Sequence, residues 1–278
     1  MGRRALAIFS FAHTFQFALA ALPTEGWLIR PFHSPHELPY EVVRDIQRTP
    51  DGLKVWFATW GGGIACLEGT EWKTLTREDG LPSNSVRAIL PDGDEGLWIG
   101  TDNGIAHYDG KTIARFLEAS ANGPPEDSVY CIRRMRNGEV WFGTALNHIL
   151  SPVWNPSFSG HHSPREVTWR TVVGEDVIRG ESVRDILETP EGEIWLALSM
   201  NGVARYDGRG WRHYGANDGL VVPIHSLART RDGTLWAAGG FSACRFDGER
   251  WTSVPEAGQE TMEVAEAGDG ELFVGTLN

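Results

Sequence analysis

The chain has 278 residues, of which 41% are apolar, and carries a formal net charge of −12 with an isoelectric point near 5.2. The apolar fraction is sufficient for a large buried core. A nucleic-acid-binding domain needs a basic patch that displaces counterions from phosphates, and the sequence contains no cluster of Lys and Arg. Nucleic acid is therefore excluded as a partner.

Residues 1–20 have the pattern of a signal peptide. Arg3 and Arg4 precede an apolar stretch from Ala5 to Leu19, and small residues around Ala20 form a cleavage site. No other segment approaches the roughly 18 apolar residues that span a membrane. We expect residues 21–278 to be the exported part, periplasmic or secreted, with any membrane attachment supplied by segments downstream of this sequence.

The dominant signal is an internal repeat. The segment SVRAILPDGDEGLWIGTDNGIAHYDG, which starts at Ser85, has the same frame as SVRDILETPEGEIWLALSMNGVARYDG, which starts at Ser182. Each copy has a tryptophan at one fixed place, with Phe273 there in the last and faintest copy. The tryptophans are Trp56, Trp98, Trp141, Trp195 and Trp236, separated by 42, 43, 54 and 41 residues. A period of 40–45 residues is typical of a four-stranded propeller blade.

Each repeat divides into four short strands separated by Gly-containing turns. In the second repeat the first three strands are predicted at Val86–Leu90, Leu97–Thr101 and Gly104–Asp109, and Ile113 marks the fourth. The sequence thus predicts an all-β propeller of antiparallel four-stranded blades. About six blades are represented, and the last is truncated after its second strand.

The repeated tryptophans have a structural explanation. Both faces of a blade are covered by neighbouring blades, and a large flat side chain fills the wedge between two sheets. We therefore assign the five indoles to the core. Cys66, Cys131 and Cys244 also fall within predicted strands, where they act as small buried apolar residues instead of forming disulfides.

The segment from Gly80 to Gly110 resembles the two-component regulator propeller repeat. The resemblance extends over Gly26 to Asn278 and is most specific in repeats two and four, whereas repeat three departs from it after Thr144 because of an insertion from Leu146 to Glu166. Propellers of that family form the periplasmic input part of sensor and hybrid histidine kinases. The resemblance implies a sensor of an extracellular ligand, an oligosaccharide in some members.

No motif for catalysis is present. The sequence lacks a nucleophile elbow, a phosphate-binding loop and metal-ligand spacing, so we expect no catalytic residue, no metal and no cofactor. The pair His161-His162 in the insertion is more simply explained as part of a solvated loop than as a metal site.

Arginine recurs at the position after the first-strand valine. Arg44, Arg87 and Arg184 share this place, and because first strands line the channel of a propeller, they are predicted to form a ring that holds an anionic ligand. The alternative is that each arginine pairs with a carboxylate of a neighbouring blade, such as Asp45 or Asp185.

Loops between second and third strands supply the remaining candidates. Exposed aromatics beside Asn and Asp suit the stacking and hydrogen bonding of a carbohydrate. These candidates are Trp60, Asp102, Asn103, Asn201 and Phe241.

Three functions remain open. The leading one is a non-catalytic, extracytoplasmic propeller that senses a small molecule or oligosaccharide as the input domain of a two-component system, a role compatible with a homodimer. The alternatives are a secreted propeller enzyme of the lyase or hydrolase type and a protein-interaction propeller, since a fold does not settle a function.

Overall fold

The structure is a computed structural model that describes residues 5–6, 28–29, 38–40, 42–116, 128–145, 148–154, 167–240, 242–254, 261–266 and 272–276. The predicted signal peptide therefore lies outside the described residues apart from Ala5–Leu6, which pairs in parallel with Leu28–Ile29. Phe241 also lies outside them.

Apart from this short parallel pair, the described chain forms five four-stranded antiparallel sheets and one antiparallel sheet of two strands, each ordered as in the sequence. We call them blades I to VI. Their strands are Val43–Arg48, Lys54–Thr59, Ile64–Glu68 and Glu71–Leu75 in blade I; Val86–Asp92, Gly96–Thr101, Gly104–Tyr108 and Ile113–Phe116 in blade II; Val129–Arg134, Val140–Thr144, Ile149–Trp154 and Val167–Val173 in blade III; Val183–Glu188, Ile194–Leu198, Gly202–Tyr206 and Trp211–Tyr214 in blade IV; Ile224–Arg229, Leu235–Gly239, Ser242–Phe246 and Trp251–Val254 in blade V; and Thr261–Glu266 and Leu272–Thr276 in blade VI.

Successive blades pack through their first strands and their faces, as the repeat predicts. The first strand of each blade contacts the first strand of the next, from blade I through blade VI. Short helical turns, Glu175–Ile178 and Ala216–Asp218, occur in the connections that follow blades III and IV. The all-β propeller expectation is confirmed.

The repeated tryptophan is the aromatic wedge between blades. Trp98 of blade II is 1% exposed, and its ring centroid lies 5.6 Å from that of Phe116 in the same blade and 5.3 Å from that of Phe142 in blade III. Trp195 is buried in the same way against Phe246 of blade V. The core assignment therefore holds for these two residues, and it also holds for Trp56 and Trp141.

Trp236 is the exception among the five register tryptophans, because it is only half-buried. For Trp56, Trp98 and Trp195, an aromatic residue from the second, third or fourth strand of the following blade packs against the indole. Blade VI has two strands among the described residues, so no third or fourth strand covers Trp236 there. At the other end of the array, Ile46 of blade I is 39% exposed, whereas its counterpart Ile89 in blade II is fully buried.

Small residues on the second strands allow the close approach of neighbouring blades. A Cβ atom added at Gly100 would lie 2.7 Å from Cγ1 of Val129 in blade III, which is closer than van der Waals contact permits. Glycine or alanine occupies the same register position in all six blades: Ala58, Gly100, Gly143, Ala197, Ala238 and Gly275.

The insertion in repeat three is not purely a loop. Its residues Ile149–Trp154 form the third strand of blade III, and Trp154 pairs with Val167 at the start of the fourth. Residues 146–147 and 155–166 of the insertion, with His161 and His162, lie outside the described residues. The strand ends Trp154 and Val167 are at the opposite end of the blade from the loops between second and third strands.

The three cysteines are buried in strands and are not paired with one another, as predicted. Burial raises the pKa of the Cys66 thiol to about 11 and that of Cys131 to about 12, so both remain protonated. Among the described residues, no helix is both long and apolar enough to cross a membrane.

Candidate binding site at the channel mouth

A β-bulge occurs at the same place in the first strand of every blade. In blade I, Val43 pairs with Thr59 and Asp45 with Ala58, so Arg44 has no partner in the ladder. A bulge residue is excluded from regular pairing and its side chain is redirected. The bulge residues of the six blades are Arg44, Arg87, Tyr130, Arg184, His225 and Met262. The three predicted arginines are therefore all bulge residues.

The loops between second and third strands lie at the same end of the channel as these bulges. The amide of Trp60 donates to the carbonyl of Val42 at 2.9 Å, and the amide of Asp102 donates to the carbonyl of Ser85 at 3.0 Å. Each of these bonds ties the residue after a second strand to the segment that enters the first strand of the same blade. The loop candidates and the arginines thus form one surface, which we call the channel mouth.

Arg44 stacks on Trp60 at this surface. The guanidinium carbon lies 4.3 Å from the centroid of the indole, which is a cation–π contact. Trp60 is 47% exposed, in contrast to the register tryptophans of blades I to IV. This exposure agrees with the prediction that Trp60 is not part of the core.

Arg87 and Arg184 both lie against Tyr130. Their guanidinium carbons are 4.5 Å and 3.9 Å from the centroid of the phenol ring. The two arginines come from blades II and IV, on either side of the blade that carries Tyr130. Tyr130 thus links the two guanidinium groups, a role that was not predicted although Tyr130 follows the first-strand valine Val129 as Arg87 follows Val86.

Asp102 is the carboxylate that pairs with this cluster. Nε of Arg87 donates to Oδ1 of Asp102, and both side chains are only partly exposed. Among the described residues, Arg44 and Arg184 form no ion pair with a carboxylate. Nε of Arg184 is buried and has no hydrogen-bond partner within the described part of the chain.

The alternative pairing of the arginines with Asp45 or Asp185 is not observed. Asp185 instead accepts a hydrogen bond of 2.6 Å from Arg133 of blade III and one of 2.9 Å from the amide of Leu227 in blade V. Asp45 accepts from the amide of Ile89 in blade II at 2.9 Å. These aspartates follow the bulge and lie deeper in the channel, where they join the first strands of neighbouring blades.

The electrostatics separate the channel into two layers. At the mouth, the pKa of Arg44 is lowered by desolvation, then by the positive charge of Arg87, although the side chain remains accessible to solvent. One residue deeper, burial raises the pKa of Asp45. The pKa of Glu263 is also raised, by desolvation and then by Asp45 and Asp185. The mouth is therefore rich in positive charge, and the deeper layer is rich in carboxylates.

The polar loop candidates surround the mouth. Asn103 and Asn201 are exposed in the hairpins of blades II and IV, and Met200 beside Asn201 is 62% exposed. Phe241 belongs to the corresponding hairpin of blade V and lies outside the described residues. In the part of the chain that the structure describes, no three His, Cys, Asp or Glu side chains are grouped to hold a metal ion.

Comparison with known proteins supports the fold. Residues 80–103 match the family model described as the two-component regulator propeller. No curated protein matches the chain significantly. The extracellular domain of a protein described as a hybrid two-component system from B. thetaiotaomicron is similar with a TM-score of 0.68 and 17% identity, over 86% of this chain and 33% of that one. The chain thus spans about a third of the length of that structure.

Two other solved structures share the fold at low identity. PorZ, a surface component of the type-IX secretion system of Porphyromonas gingivalis, has a TM-score of 0.59 at 14% identity, over 84% of this chain and 39% of its own. YCF48 bound to a D1 peptide has a TM-score of 0.57 at 17% identity, over 85% and 78% of the two chains. The chain carries a two-component regulator propeller repeat on a β-propeller fold similar to that of extracellular domains of two-component systems.

Proposed function

We propose that this propeller is the non-catalytic, extracytoplasmic input domain of a signalling protein and that it binds an acidic oligosaccharide at the channel mouth. The observation that carries the proposal is the convergence of Arg44, Arg87 and Arg184 from three different blades. The likeness to extracellular domains of two-component systems supports the sensing role, and the predicted signal peptide supports export.

The charge of the mouth favours an anion. Of the three arginines, only Arg87 forms an ion pair with a carboxylate among the described residues, that of Asp102, and the pKa of Arg44 is lowered partly by the positive charges of Arg87 and Arg184. A carboxylate or sulfate bound here would relieve this repulsion and satisfy the buried Nε of Arg184. Guanidinium groups recognise such anions through paired hydrogen bonds.

The rim of the mouth favours a sugar as the carrier of the anion. Trp60 offers partly exposed indole surface, and Asn103 and Asn201 offer amide donors and acceptors at the tips of the hairpins of blades II and IV. Apolar sugar faces stack on aromatic rings, and amides hydrogen-bond to hydroxyl groups. A ligand of several sugar units could contact both the rim and the arginines.

Calorimetric titration with oligogalacturonates tests the proposal, with neutral galactose oligomers of the same length as the matched ligand. We expect binding of the acidic oligomers only. Arg184→Ala should weaken this binding by roughly tenfold to a hundredfold, since a hydrogen bond to a charged group contributes about 1.5–3 kcal/mol. Arg212→Ala is the matched control, because Arg212 also stacks on a tyrosine, Tyr214, but lies on an exposed outer strand.

Equal binding of acidic and neutral oligomers would contradict the anion site. An equal loss of affinity in Arg184→Ala and Arg212→Ala would show that the effect is not local to the mouth. Absence of binding by any acidic ligand would contradict the proposed function itself.

A protein partner is the second candidate function. Trp60, Met200 and Tyr40 are large hydrophobic side chains that are exposed, and the first two lie at the mouth. Large hydrophobic side chains that are exposed beside polar groups are common in interaction surfaces. This candidate would be favoured if a protein or peptide bound to the mouth while acidic and neutral sugars gave no thermal shift.

A further inference from the structure

We infer that His225 makes anion binding at the channel mouth pH-dependent, because on protonation it adds a fourth positive charge to the arginine cluster. The inference rests on the proposed function, since it concerns regulation of the same site.

His225 is the bulge residue of blade V. Ile224 pairs with Gly239 and Ser226 with Ala238, so His225 is left out of the ladder as Arg184 is in blade IV. The first strands of blades IV and V are in contact. The bulge on one strand redirects the imidazole of His225, and the bulge on the other redirects the guanidinium of Arg184. His225 is half-buried and therefore remains accessible from the channel.

The surroundings keep the imidazole neutral in the absence of a ligand. The pKa of His225 is lowered from its ordinary value of 6.5 by desolvation, and then by the positive charge of Arg184. Both causes disfavour the imidazolium form. An anion bound beside Arg184 opposes the second cause, so the pKa of His225 should be higher in the complex than in the free protein.

The sign of the pH effect follows from linkage. A site that takes up a proton when the anion binds has an affinity that rises as the pH falls, within the window between the free and bound pKa values. Because the free pKa lies below 6.5, the free protein carries a neutral His225 near neutral pH. Affinity should therefore increase through mildly acidic pH and level off once the free protein is protonated as well.

Other residues near His225 in the channel determine which further charges change with pH. Arg184 faces His225 from blade IV, and Met262 holds the bulge position of blade VI without a charge. The carboxylates one residue deeper are Asp185 on blade IV and Glu263 on blade VI. Because the pKa of Glu263 is raised, protonation of Glu263 would also make the channel more positive at low pH.

Oligogalacturonate titrations at about pH 8 and about pH 5 test the inference, since these values bracket the ordinary pKa of histidine while the galacturonate stays largely ionised. In the wild type we expect roughly three- to tenfold tighter binding at the lower pH, as one added charge at a partly hydrated site provides. His225→Asn should lose most of this gain but bind as the wild type does at the higher pH.

Two further variants make the result decisive. His225→Arg should bind tightly at both pH values, because its charge is permanent. Glu263→Gln should keep the pH dependence if His225 causes it. Retention of the full pH dependence in His225→Asn, or its loss in Glu263→Gln alone, would overturn the inference. Absence of binding at both pH values in the wild type would instead refute the proposed function.

Discussion

Two tryptophans of the same chain illustrate how the blade interfaces differ from the channel mouth. Trp98 is 1% exposed and is surrounded by aromatic side chains from its own blade and the next. Trp60 is 47% exposed and contacts the guanidinium group of Arg44. The interface excludes water and contributes to stability through buried apolar area, whereas the mouth keeps charged groups accessible. Trp98 is thus a residue that stabilises the fold, whereas Trp60 is available for binding.

Trp98→Ala should have the largest effect on stability. Truncation of this indole leaves a cavity between blades II and III and should lower the free energy of unfolding by about 3–5 kcal/mol. Urea denaturation followed by intrinsic fluorescence and circular dichroism would measure the loss. An effect smaller than that of Trp60→Ala would mean that the aromatic wedge has been assigned to the wrong tryptophans.

Asp185→Ala should have the next largest effect. Its carboxylate accepts hydrogen bonds from the amide of Leu227 and from Arg133, so its removal leaves buried donors unsatisfied at the interfaces of three blades. We expect a cost of about 2–4 kcal/mol. Arg184→Ala is the adjacent control, and it should cost less than about 1 kcal/mol because Arg184 belongs to the mouth. Similar losses in both variants would remove the distinction between the two channel layers.

Trp60→Ala should have the smallest effect on stability, below about 1 kcal/mol, because half of the indole is exposed. It should nevertheless weaken oligogalacturonate binding by roughly three- to tenfold, since it removes a stacking surface and the contact that orients Arg44. Denaturation and calorimetry on the same sample would measure both quantities. Unchanged affinity would exclude Trp60 from the site.

The repeated part of the fold was predicted well because the strand pattern of each blade is contained in its own segment of the sequence. The strands of blade II, the register tryptophans and the buried cysteines all follow from local periodicity. Ile149–Trp154 was missed as a strand because the insertion disturbs the repeat frame there. The half-burial of Trp236 was also missed, since the pattern of one repeat does not show which side chains of the following blade cover its tryptophan.

The sequence predicted the channel position of Arg44, Arg87 and Arg184 but not their partners. A partner can come from another blade or loop, as with Arg87 and Asp102, and this depends on how the blades are rotated about the channel. Asp185 pairs with Arg133 from a different blade, a contact that no local pattern encodes. Tyr130 and His225 follow the first apolar residue of their strands as the arginines do, and the shared bulge explains why they belong with the arginines.

The bulge recurs at the same place in all six blades and leaves one residue of each first strand out of the backbone pairing. Positions 44, 87, 130, 184, 225 and 262 carry arginine, tyrosine, histidine or methionine although the strands around them keep one pattern. Because these residues are left out of the backbone pairing, exchange of one side chain for another changes the chemistry of the channel entrance with little effect on the scaffold. Duplication of such a unit adds one bulge residue at the channel entrance. Each of these residues can then change independently, so that the entrance binds a different molecule.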